Sequence, residues 1–391
     1  MPNRKETLEM TKVRLMNQTS DFEKFGVNPK QVEPWEDAKR DDDRAGVYEW
    51  WYFDMILDDG SKAVIHFNTK DNKTIGKDGT IPSVVIKITS PTGKEFKDNV
   101  ILKAEEASFG KEQCDVNYGP HYVKGDLQDY HIYVAPTGGV NGTDGAGGTG
   151  KASSVGADLM LHSTSRAWRP GAGGFTFGED EKGYFTWLCA VPRGQVTGTL
   201  FYDGESHQVT GAGYHDHQWG NMKHFSTWDH WLWGRQDFGD YTLLIFDIGT
   251  QKTFNNQRLP MMFLEDNEGN LLFENTDLSP KCQVLEEYKE KLSGKSYPKK
   301  VAYEFRQGDK TIKYVITQKE ELEARDAAAE MPKPLSWVLE KTKKLHPSTT
   351  RNFAHGELIY DDGQQVIKRE GDMIYEFIYM GLTAKDQMEN G

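Results

Sequence analysis

The 391-residue sequence predicts an all-β fold of antiparallel strands in two domains, with a short helical excursion near residues 318–345. Short alternating or aromatic-rich runs recur along most of the chain, separated by turn residues. The composition is lean in aliphatic residues but 12% aromatic, which suits an interior or cavity built from Trp, Tyr and Phe. The length exceeds one ordinary core.

Residues 1–45 are polar, end in the charged run "EDAKRDDDRAG", and read as an arm over the surface with little chemistry. From Tyr48 the pattern changes. "YEWWYFDMIL", "KAVIHFNT" and "PSVVIKITS", punctuated by "DDGS" and "PTGK", are hairpin signals. The same texture returns in "HYVKGDLQDYHIYVAP", "ADLMLHSTS", "GYFTWLCAVPRGQVTGTLFYDG", "DYTLLIFDIG", "RLPMMFLEDNEGNLLFEN", "TIKYVITQ" and "HGELIYDDGQQVIKREGDMIYEFIYMG". Two stretches interrupt it. "QKEELEARDAAAEM" and "PLSWVLEKTKKL" carry helix-favouring residues and an initiating Pro, hence the helical excursion. "PTGGVNGTDGAGGTGKASSVG" reads as a loop. Its "GAGGTGKA" imitates a P-loop, but Ala152 stands where a hydroxyl should hold Mg²⁺, and a strand pattern follows where a helix should.

A net charge of −13 argues against a nucleic-acid or anionic-membrane partner. No apolar run is long enough for a membrane span, and the N-terminal stretch lacks a signal-peptide core, so a cytoplasmic chain is expected. Cys114, Cys189 and Cys282 are far apart without a C-x-x-C pair and read as structural. Oligomeric state is left open.

Residues 211–248 concentrate four of the 11 histidines and four of the 10 tryptophans. If "GYHDHQW" is extended, His215, His217 and Trp219 share one face, and Tyr214, Asp216 and Gln218 the other. Three readings stand. Two histidines at i, i+2 could chelate a metal, with His224 or His230 completing the shell. Alternatively they are ordinary buried histidines. The density of polar side chains favours a third, a cavity of titratable groups with aromatic walls. In "GVYEWWYFDMIL" alternation likewise separates Glu49, Trp51 and Phe53 from Trp50, Tyr52 and Asp54. Glu49 among aromatics is either a proton donor or the partner of a cation.

"EWWYFD", then "GAGYHDHQWG" about 160 residues later, "WLWGRQDFGDYTLLIFDI" and the closing "DMIYEFIYMG" resemble the family of carotenoid 1,2-hydratases (hydroxyneurosporene synthases) and AttH-like proteins. Isoflavonoid hydratases and polyketide Diels-Alderases belong to the same lipocalin-like superfamily. The resemblance covers roughly residues 45–385. It implies two lipocalin-like β-domains, 46–210 and 211–391 after the arm 1–45, with a ligand cavity lined by both. It also implies chemistry without metal or organic cofactor, and catalytic roles for His215, Asp216, His217 and Trp219. Gln218 stands where the family more often has Asn.

The expected activity is a lyase reaction of secondary metabolism, the addition of water to, or its loss from, an apolar isoprenoid (terpenoid) or polyphenolic small molecule. Asp216 or Glu49 would donate the proton, and His215 or His217 would take one from water. Trp219, with Trp51 or Trp231, would face the cation. Trp50, Trp51, Tyr52, Tyr214, Trp231 and Trp233 would line the substrate site. Because Asp216 and the histidines occupy opposite faces, their cooperation requires a bulge or turn. A pericyclase or isomerase and a non-catalytic carrier are the alternatives.

Overall fold

The computed structural model describes residues 12–71, 74–136, 155–275, 277, 280–329, 333–338, 341 and 345–381. In chain order the first strands are β1 (Val13–Leu15), β2 (Tyr48–Leu57), β3 (Lys62–Asn68), β4 (Ser83–Thr89), β5 (Glu95–Ile101), β6 (Ala107–Phe109) and β7 (Cys114–Tyr118). Next come β8 (His121–Gly125), β9 (Asp129–Val134), β10 (Gly156–Ser163), β11 (Gly174–Phe177), β12 (Gly183–Tyr202) and β13 (Glu205–Gly220). The remainder are β14 (Trp228–Asp237), β15 (Tyr241–Thr250), β16 (Arg258–Asp266), β17 (Leu271–Glu274), β18 (Lys281–Lys289), β19 (Ser296–Gln307), β20 (Lys310–Asp326), β21 (Leu345–Asp361) and β22 (Val366–Gly381). Helices are few and short: α1 (Thr19–Phe25), α2 (His224–Thr227) and α3 (Lys333–Val338). None among the described residues is long and apolar enough to cross a membrane.

Two compact units result. The N-terminal unit comprises Met16–Gly174 and Tyr184–Asn221; the C-terminal unit comprises Met1–Leu15, Phe175–Gly183 and Met222–Gly391. In the N-terminal unit the strands lie in the order β5-β4-β3-β2-β13-β12-β10-β9-β8-β7-β6, a curled antiparallel sheet. Its interior takes alternate residues, such as Trp51, Phe53, Met55 and Leu57 of β2, Ala63, Ile65 and Phe67 of β3, and Leu159 and Leu161 of β10. This is the period of two that a sheet buried on one face requires. The C-terminal unit repeats the plan as β17-β16-β15-β14-β22-β21-β20-β19-β18, around Leu232, Ile245, Phe305, Tyr314 and Phe377.

Three expectations need correction. The division falls after Asn221 rather than at 210, because β13 is one uninterrupted strand that pairs with β2 through Gly220. The polar arm is not separate. Its α1 segment packs Phe22 and Phe25 on Met16, Val27 and Ala172, and a 3₁₀ turn at Pro34–Asp37 carries Glu36 and Asp37 into the N-terminal unit as buried residues. Gln318–Asp326 is not helical but completes β20, paired with Ala354–Ser348 of β21 through two bulges. Helix propensity amounts to tenths of a kcal/mol per residue, so a long cross-strand ladder overrides it. Among the described residues the α-helix of that excursion is α3. The P-loop look-alike at 145–152 lies outside the described residues.

Candidate functional site

β2 and β13 pair in unbroken register from Tyr48 opposite Gly220 to Leu57 opposite Gly211. The nearby bulges lie in β12, between Cys189 and Gly194, and leave the phase of β13 unchanged. Alternation therefore sorts the motif residues onto two faces of one sheet. Glu49, Trp51 and Phe53 stand opposite Trp219, His217 and His215 on the inner face, while Trp50, Tyr52 and Asp54 stand opposite Gln218, Asp216 and Tyr214 on the outer. Without a bulge in β13, Asp216 cannot act together with the two histidines.

On the inner face the hub is Asp37, a residue the sequence did not single out. His215 Nε2 lies 3.1 Å from Asp37 Oδ2, and His217 Nδ1 lies 3.2 Å from Asp37 Oδ1. The Tyr130 hydroxyl donates to Asp37 Oδ2 at 2.6 Å, and Trp51 Nε1 donates to the Asp37 carbonyl at 2.9 Å. The far nitrogens of both rings are also engaged: His215 Nδ1 with the Tyr52 carbonyl at 3.0 Å, His217 Nε2 with Glu49 Oε1 at 2.9 Å. Glu49 in turn accepts the backbone N–H groups of Arg40 and Asp41. The rings are stacked, His215 on Phe53 and His217 on Trp51.

All of this is sealed, with Asp37, His215 and His217 each 0% exposed. Burial raises the Asp37 carboxyl, yet the two imidazoles outweigh it and hold the group below its ordinary value. For His217, burial works downward, and the carboxylates of Asp37 and Glu49 raise it by more. Cys114 completes the cluster: a donor atom from each of Asp37, Cys114 and His215 lies within 4.8 Å of the others, a set able to hold a metal ion. The thiol is pushed well up by burial and by the neighbouring carboxylates.

The outer face is different in kind. Asp216 accepts from Trp187 Nε1 at 3.1 Å, the Tyr214 hydroxyl at 2.8 Å and Gln218 Nε2 at 3.2 Å. Burial lifts its carboxyl to about 6 against the lowering effect of those donors and His215. Asp216 opens a row across the sheet, with Tyr52 beside it, His66 next on β3, and then Val85 on β4. Tyr52 and His66 meet edge to face with ring centres 4.8 Å apart. His66 is pushed down to about 4 by burial, opposed by Asp54.

Beside that row a cavity of about 230 Å³ is lined by Tyr48, Trp50, His66, Asn68, Lys70, Asp71, Ile75 and Val85. Trp50, Tyr52, His66 and Gln218 are half-buried, whereas Trp51 and Tyr214 are fully buried and present no surface. His66 could have been found from "KAVIHFNT", whose alternation sets it opposite to Ile65 and Phe67 in facing.

Trp231 and Trp233 belong to the C-terminal unit and are half-buried on the side of β14 opposite Leu232. His224 and His230 are in that unit too, and His230 Nδ1 pairs with Asp229 at 2.9 Å. Among the described residues, the donor group at Asp37 includes neither.

Residues 101–326 match the AttH-like family model, more than half of the chain. The chain belongs to the AttH-like family. Among solved structures, this AttH-like chain is similar to an AttH protein of Nitrosomonas europaea, with a TM-score of 0.55 at 16% identity, covering 91% of this chain and 99% of that one. Kievitone hydratase from Nectria haematococca gives 0.52 at 14%, covering 90% and 94%. CghA, solved with Sch210972, gives 0.51 at 10%, covering 96% and 100%. These are likenesses of fold. No match is found among curated proteins.

Proposed function

We propose that this AttH-like chain is an enzyme of small-molecule metabolism, a hydratase acting on an apolar isoprenoid or polyphenolic compound at the outer face of the β2–β3–β13 sheet. The observation that carries this reading is the cavity of about 230 Å³ that combines the aromatic faces of Tyr48 and Trp50 with the imidazole of His66, which shares a row of the sheet with the carboxyl-bearing Asp216, Tyr52 standing between them. Acid, aromatic wall and base are what water addition to an alkene demands.

In the reaction, the Asp216 carboxyl gives its proton to one alkene carbon, forming the C–H bond and leaving a cation at the other. Gln218 donates to Asp216, so Gln218 turns aside to admit the alkene. Trp50 and Tyr52 face the cation, each contact worth about 0.5–2 kcal/mol. His66, neutral at physiological pH because burial holds it near 4, takes a proton from the attacking water as the C–O bond forms. Return of that proton to the Asp216 carboxylate closes the cycle. His215, His217 and Glu49 act from the inner face as supports of the sheet, not as proton carriers to substrate.

The test is incubation with prenylated phenols and acyclic terpenoids in oxygen-18 water, followed by mass spectrometry. Incorporation of label supports the hydratase. An isomeric product without label would replace it with a pericyclase or isomerase, and a bound but unchanged ligand with a carrier. The likeness in fold to kievitone hydratase fits the first outcome, and a similar fold occurs in CghA, solved with Sch210972.

A further inference from the structure

We propose that Asp37, Cys114 and His215 form an interior site for one zinc-type transition-metal ion, which fastens the segment before β2 to the sheet. The donor set is mixed imidazole, carboxylate and thiolate, the set that tetrahedral Zn²⁺ prefers. Metal–ligand bonds of about 2.0–2.3 Å place tetrahedral donors roughly 3–4 Å apart. His215 Nε2 lies 3.1 Å from an Asp37 oxygen, and a donor atom from each of Asp37, Cys114 and His215 lies within 4.8 Å of the others.

Two further observations point to a ligand. Asp37 Oδ1 and His217 Nδ1 face each other at 3.2 Å without the alignment of a hydrogen bond, and among the described residues neither atom has a hydrogen-bond partner, although both side chains are fully buried. Buried polar atoms are rarely left so. A cation bound by Asp37 Oδ1 satisfies that oxygen.

The second observation is the outer shell. The His215 ring is oriented from its far nitrogen by an acceptor, the Tyr52 carbonyl. That arrangement fixes a tautomer with the lone pair directed at the centre, as the outer partners of metal-bound histidines do. The Tyr130 hydroxyl occupies Asp37 Oδ2 and leaves Oδ1 for the ion.

Charge also balances. A divalent ion with the Asp37 carboxylate and the Cys114 thiolate is neutral overall, and binding releases the thiol proton to solvent. The role is structural, since nothing in the cluster reaches the surface. The ion therefore enters while the chain folds. This inference does not rest on the proposed hydratase, and its readout is independent of activity.

The test is expression of the full chain in zinc- and in cobalt-supplemented medium, desalting against chelator, and elemental analysis with absorption spectroscopy. The expected result is about one ion per chain, retained against chelator, and for cobalt a thiolate-to-metal charge-transfer band with tetrahedral d–d bands. Cys114→Ser should lose the charge-transfer band. A folded wild-type chain with no stoichiometric metal under both conditions overturns the site. So does a Cys114→Ser variant with an unchanged cobalt spectrum. The wild-type measurement needs no variant to fold.

Discussion

His217 Nε2 lies 2.9 Å from Glu49 Oε1, and neither side chain is more than 1% exposed. The contact joins neighbouring strands, and because Glu49 also takes the N–H groups of Arg40 and Asp41, it ties β13 to the segment before β2. His217→Ala leaves the Glu49 and Asp37 carboxylates in a closed interior with one cation fewer. Breaking a buried pair in this way costs about 3–5 kcal/mol. Urea unfolding should show a loss of that order at unchanged m-value; a loss under about 1 kcal/mol would mean that the pair does not hold the sheet.

A second tie fastens the same segment. Arg169 Nε donates to Glu36 Oε2 at 2.6 Å, and its other nitrogens donate to the carbonyls of Gly171 and Asn28, with both charged groups nearly fully buried. Arg169→Leu removes all of these at once and leaves Glu36 unpaired, so the segment from 16 to 44 should open locally before the unit unfolds. Limited proteolysis of the native protein should then cut within 16–44 faster than in the wild type. Identical cleavage would show that Asp37 and the hydrophobic contacts suffice.

His66 gives the stability a pH dependence of known sign. Its pKa is pushed down to about 4 by burial, from 6.5 in a free chain. Between those values the unfolded chain binds a proton that the folded one refuses. The contribution is therefore complete above about 6.5 and is lost as the pH falls toward 4. Thermal unfolding followed across that range should be less steeply pH-dependent in His66→Gln than in the wild type. Parallel curves would place His66 in water rather than against Tyr52.

How legible these features were depends on whether a periodic signal accompanied them. The faces of β2 and β13 followed from a period of two, because no bulge interrupts either strand between Tyr48 and Leu57 or between Gly211 and Gly220. Asp37 was invisible for the opposite reason. It sits in a 3₁₀ turn of a polar segment, where neither spacing nor composition separates a buried carboxylate from a solvated one. Cys114 looked like any core cysteine, since its proximity to Asp37 and His215 is created by pairing among strands distant in sequence. Gln318–Asp326 misled because its Ala, Glu and Leu content reports local preference, whereas β21 decides its conformation.

The two faces of the sheet predict opposite kinetic consequences. Asp216→Asn keeps the size of the side chain on the outer face and removes its proton, so turnover should fall by about 10²- to 10⁴-fold with little change in KM. Trp50→Ala leaves the acid and removes an aromatic wall of the cavity; the loss of about 0.5–2 kcal/mol should weaken substrate binding by roughly 2- to 30-fold. His217→Ala, by contrast, should lose stability while folded molecules retain turnover, because the ring is closed off from the cavity by the sheet itself. Steady-state kinetics of the three variants, corrected for the folded fraction, separates these outcomes. If His217→Ala abolishes turnover in fully folded protein while Asp216→Asn does not, the chemistry belongs to the inner face and the outer cavity is not where water is added.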